Sequence, residues 1–77
     1  MFKEGQTVIV VKDIVSMGKS PWENYFNQPC VIKKALGFNN MYQQYEYIID
    51  KLGPFPVVFC LEDELRELYV FKNLKFT

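Results

Sequence analysis

The sequence predicts an all-β fold, with five short strands closing a small barrel, a long loop after the first strand and a short helical turn before the last. Three observations lead there. Val8-Ile9-Val10-Val11 sets four β-branched residues in succession, stiff side chains that favour a strand over a helix. Tyr45-Glu46-Tyr47-Ile48-Ile49-Asp50 is separated from a second β-favouring run, Pro56 to Leu61, by a Gly53-Pro54 turn, the pattern of an antiparallel pair. Glu62-Asp63-Glu64-Leu65 then reads as a tight acidic turn that returns one leucine to the core.

Taken in order, Lys3 to Gln6 is a polar turn into strand one, Thr7 to Lys12. Asp13 to Gln28 breaks the pattern with Gly18, Ser20, Pro21, Asn24 and Asn27. Ser20-Pro21-Trp22-Glu23 has the order of a helical turn, with Ser20 as cap and proline at the first position. A loop of about 15 residues tends to fold on itself or to carry function. Met17, Trp22, Tyr25 and Phe26 within it admit both readings, a lid over the core or a recognition loop anchored by Trp22.

Pro29 to Leu36 is strand two, with proline at its first position where no ladder bond is lost. Gly37 to Asn40 is expected to turn the chain. Met41 to Asp50 is strand three, with Tyr45, Tyr47 and Ile49 on the expected inner face. Phe55 to Leu61 is strand four; Val58 and Cys60 share one face, Val57, Phe59 and Leu61 the other, and both are apolar. Leu61, Leu65 and Leu68 also fall at helical spacing, so a helix over Glu62 to Tyr69 competes with the short turn. The β-favouring Tyr69-Val70-Phe71 tips the reading to a closing strand, and Lys72 to Thr77 extends it or adds another.

Seventy-seven residues make one domain, 1–77, and 49% hydrophobic residues against 23% charged exclude a disordered chain. Nine basic residues balance nine acidic ones, which lowers the expectation of nucleic-acid binding. Four of the acids, Glu62, Asp63, Glu64 and Glu67, crowd around Arg66 and leave the remainder mildly basic. No run reaches the ~18 apolar residues of a membrane span, and the first residues lack a signal-peptide layout, so a cytoplasmic protein is expected. Cys30 and Cys60 lie in apolar runs and are expected as buried free thiols, with a cross-strand disulfide as the alternative.

At the level of residues, Gly5, Val8 and Val10, then Val31 and Ile32, then Tyr45, Tyr47 and Ile49, then Glu62, Glu64 and Leu65 form a pattern spanning roughly residues 4 to 71. It resembles that of small bacterial and phage domains with a Src-homology-3-like barrel. The resemblance implies the barrel and a binding role. Members associated with ribosomes and polymerases usually carry a glycine just before strand two, where this chain has Pro29.

Catalysis is not expected. Histidine is absent, and with it the commonest general base. No cysteine–histidine spacing supports a zinc site, and no cofactor or metal is anticipated. Gly18-Lys19-Ser20 lacks the upstream glycine of a phosphate-binding loop. The leading expectation is a non-catalytic module that binds a protein partner through Trp22, Tyr25, Phe26 and Tyr42, with Glu62 and Glu64 lending charge selectivity to one rim. An alternative is a nucleic-acid-binding small barrel, transcription- or translation-associated, using Lys33, Lys34, Lys51, Lys72 and Lys75 around exposed aromatics. A phage assembly or host-interaction role, with the closing strand pairing between subunits, is the third. The expected state is a monomer or weak oligomer.

Overall fold

A computed structural model describes residues 1–68, which form one antiparallel sheet in the order β4-β3-β2-β1-β5. The strands are β1 (Thr7–Val10), β2 (Cys30–Asn39), β3 (Gln44–Ile49), β4 (Val58–Leu61) and β5 (Leu65–Glu67). No α-helix occurs among these residues, only single 3-10 turns at Val15–Met17, Trp22–Tyr25 and Glu62–Glu64. The all-β expectation is met, as is the helical turn before the last strand.

The longest strand, β2, organises the sheet. Its start pairs with β1 through Thr7↔Val31 and Val8↔Cys30, and the rest pairs with β3 from Ile32↔Ile49 to Asn39↔Gln44. Register shifts between Ile32 and Lys34 and between Ala35 and Gly37 interrupt that second ladder. Extra residues of this kind bend and twist a strand, so β2 serves two halves of the sheet. The inner faces of both halves supply one core: Val8, Val10, Cys30, Ile32, Tyr47, Ile49, Val58, Cys60 and Leu65, joined by Ile14, Trp22 and Leu52. Enclosing each aliphatic member stabilises the fold by about 1.5–3 kcal/mol. Among the described residues β4 pairs only with β3, and β5 only with β1.

Period-two reasoning places Tyr47 and Ile49 inside correctly, and burial of Val58 and Cys60 identifies the inner face of β4. Four boundaries need correction. β1 ends at Val10 and not at Lys12. β2 continues past Leu36 to Asn39, because Gly37 (φ 100°) is taken up near a bulge rather than in the turn. The reversal falls at residues 40–43, closed by Gln43 at φ 57°, so β3 begins at Gln44 and not at Met41. β4 starts at Val58; Phe55 instead exchanges two 2.9 Å backbone hydrogen bonds with Leu52.

The helical alternative over residues 62–69 fails, since the 3-10 turn ends at Glu64 and Leu65 opens a strand beside β1. The expectations for Tyr69 to Phe71 and for Lys72 to Thr77 lie outside the described residues.

Candidate functional site

The segment between β1 and β2 folds back over the core. Trp22 begins its second 3-10 turn, with Pro21 rather than Ser20 at the cap and no side-chain cap bond. Its side chain is 2% exposed and packs on Phe55 at a centroid distance of 4.9 Å, while Tyr25 meets the same ring edge-on at 6.0 Å. The indole N–H, which must find an acceptor when buried, donates to the Gly18 carbonyl at 3.0 Å. Trp22 is therefore a core residue, and the expectation of a projecting anchor is corrected. Tyr25 and Phe26 are half-buried against the same core. Tyr25 is also held from beneath: a β-carbon built on Gly53 would lie 2.3 Å from its ring.

Glu64 also departs from expectation. It is 2% exposed, because its carboxylate accepts the backbone N–H of Leu61 at 2.8 Å and that of Val15 at 3.0 Å. Burial raises its pKa above the usual carboxylate range, and the two N–H donors only partly offset this. Glu64 is thus a clamp between the acidic turn and the start of the long loop, not a rim charge. Glu62 accepts the Tyr47 hydroxyl at 2.5 Å, and that hydroxyl accepts the Phe2 N–H. Burial, followed by the Glu62 hydrogen bond, pushes the Tyr47 phenol up to about 12. Of the two glutamates expected to select charge, one is buried and the other is engaged with a tyrosine.

What these contacts leave open is a groove with two hollows. The first, about 530 Å³, is lined by Asp13, Ile14, Val15, Gly18, Lys19, Ser20 and Trp22. The second, about 320 Å³, lies among Lys12, Asp13, Val15, Tyr42, Gln44, Leu61, Asp63 and Glu64. Asp13 and Val15 line both and form the ridge between them. Within the second hollow Asp63 N–H donates to Gln44 Oε1 at 2.8 Å, and beside it Ser16 Oγ ties the long loop to β4 by donating to the Phe59 carbonyl at 2.8 Å. Lys12 pairs with Asp63 at 3.1 Å, an exposed contact worth about 0–1 kcal/mol. Asp13 is exposed and has no ion-pair partner among the described residues.

Tyr42 lies in the turn after β2 and lines the second hollow. Asp13 and Val15 were not expected; their only sequence signal is their place just after the first strand. Lys33 and Lys34 are exposed on β2 and Lys51 in the turn after β3, and none lines the groove. Lys72 and Lys75 fall outside the described residues.

Both cysteines are free and buried. Burial raises the Cys30 thiol to about 11 and drives Cys60 up further, the opposite of what a nucleophile requires. Among the described residues no group of three or more metal-ligating side chains comes together, and no helix is long and apolar enough to cross a membrane. Comparison of the chain with protein-family models, curated proteins and solved structures yields no match.

Proposed function

We propose that this chain is a non-catalytic binding module that takes an extended segment of a partner protein along the groove over Asp13 and Val15. One observation carries the reading: two adjoining hollows share an exposed carboxylate with no ion-pair partner among the described residues, with Tyr42 on one side and the Trp22 region on the other. Extended segments lie in such grooves with alternate side chains filling successive pockets. A lysine or arginine near the ridge would meet Asp13 and gain a charge-assisted hydrogen bond.

The architecture supports placing the chain with the Src-homology-3-like barrels: neighbouring strands in the order β5-β1-β2-β3-β4, a long loop after β1, a bulged β2 and a 3-10 turn before β5. The non-catalytic part of the proposal draws on the absence of histidine, on thiols held protonated, and on a buried glutamate already occupied by backbone donors. Two free thiols are in keeping with a reducing cytoplasm.

The test is a titration of the full chain, followed by backbone amide NMR shifts, against an array of extended peptides with and without basic residues. Shifts confined to residues 12–22 and 40–44, weakened at least tenfold by Asp13→Asn or Tyr42→Ala, support the groove. Peptide-induced shifts elsewhere, or affinity indifferent to both substitutions, remove it. A shift of labelled single-stranded DNA or RNA in a low-salt gel would favour the nucleic-acid reading instead.

A further inference from the structure

The two hollows of the groove differ in what their charged groups have left to bind. In the second, Lys12 is paired with Asp63 at 3.1 Å, and the Glu64 carboxylate already accepts the N–H groups of Leu61 and Val15. In the first, Asp13 and Lys19 are both exposed, and neither has an ion-pair partner among the described residues. The 3-10 turn Val15–Met17 and Gly18 at φ 81° bring the two side chains to one hollow, yet they form no ion pair with each other. Charges of opposite sign are thus held apart around a single space.

That arrangement selects its occupant by charge complementarity. A phosphate drawn to Lys19 meets Asp13 on the same hollow and is repelled. A segment with basic residues alone is drawn to Asp13 and repelled by Lys19. A segment with one charge of each sign satisfies both. Its aliphatic stems would lie across Ile14, Val15 and Trp22, and the half-buried Ser20 offers a hydroxyl beside Lys19. A hollow of about 530 Å³ is roughly 10 Å across, the span of about three residues of extended chain at ~3.3 Å each. Within such a span, alternate residues point to the same side and neighbouring residues to opposite sides.

On the reading of the groove as a peptide site, we infer that the partner segment carries a basic and an acidic residue at alternate positions. The basic side chain lies on Asp13 and the acidic one on Lys19. The second hollow, with its own charges already engaged, takes an uncharged side chain beside Tyr42.

Amide NMR titration of the full chain with three capped, extended peptides tests the pattern. The first has lysine and glutamate at alternate positions, the second has them adjacent, and the third has lysine in place of the glutamate; each is made in both orders. The first should bind about threefold tighter than the others, or more, the effect of one exposed charge pair. K19E, a change at an exposed side chain whose fold the same spectra check, should reverse the preference between the first and third peptides. Binding along residues 12–22 that ignores the glutamate or its position, or a preference that K19E leaves unchanged, would overturn the inference and leave the groove standing as a peptide site. No shift at residues 12–22 with any of the three would remove both.

Discussion

Aromatic residues crowd two excursions from the sheet, the loop between β1 and β2 and the hairpin between β2 and β3, and the two treat them oppositely. In the loop, consecutive 3-10 turns carry Trp22 down onto Phe55, and Tyr25 closes over the same ring. In the hairpin, Phe38 and Tyr45 pack on each other and stay half in water. Composition does not distinguish them. Position does: the loop begins and ends at the core, with Asn27 N–H bonded to the Val10 carbonyl, whereas the hairpin extends beyond the point where β1 stops pairing with β2. An aromatic in a loop of a small domain is core material when the loop returns across the sheet, and surface when the strands outrun their partners.

The largest expected effect tests the inward half of that contrast. Trp22→Ala should destabilise the domain by about 3–5 kcal/mol, the usual cost of emptying a large buried site, read as a lower urea midpoint. A loss under about 1 kcal/mol would place the indole outside the core and return Trp22 to the role of a surface anchor.

Next in size is the clamp that holds the loop down. Glu64→Ala strands two backbone N–H groups, those of Val15 and Leu61, at about 1–3 kcal/mol for an unsatisfied buried donor. Its titration gives a finer measurement. Because burial raises the pKa of Glu64 in the folded state above its ordinary 4.5, the unfolded chain ionises first as pH rises. The stability this group contributes is full below the ordinary value and is lost as pH climbs through the raised one. The urea midpoint of the wild type relative to Glu64→Gln should fall over that interval and level off above it. A constant difference would mean that the carboxyl titrates as it does in the unfolded chain.

The smallest effect belongs to the outward half. Phe38→Ser should alter stability by no more than about 1 kcal/mol, the worth of an exposed cross-strand aromatic pair, read as a nearly unchanged urea midpoint. A loss of the size expected for Trp22→Ala would show that the overhang is part of the core after all.

Much of the fold was legible because it depends on short-range alternation. The β-branched run of β1, the inward parity of Tyr47 and Ile49, and the acidic turn delivering Leu65 are local patterns whose burial follows directly. The hairpin turn was misplaced because glycine at residue 37 resembles a turn former, while the actual reversal uses Gln43 in a left-handed conformation that glutamine seldom adopts. Tyr45 matched its inner neighbours in parity, yet nothing in sequence marks where a sheet outruns its core. Glu64 was hidden for another reason. An acid in an acidic turn reads as solvated, and only the fold reveals that two amide donors from different segments converge on it. The groove was half visible: Tyr42 was identifiable as an aromatic in a polar turn, whereas Asp13 gains its place only when the loop brings it between two hollows.

Cys30 and Cys60 are both free, buried and held protonated. Cys30 belongs to the ladder with β1 and Cys60 to the ladder with β3, one on each side of the long shared strand's division of labour. In neutral buffer neither should react with an alkylating reagent until its own neighbourhood comes apart. Mass spectrometry of the labelled chain would therefore time the opening of each half separately, with no probe added to the protein, and show whether the domain breathes as one body or as two.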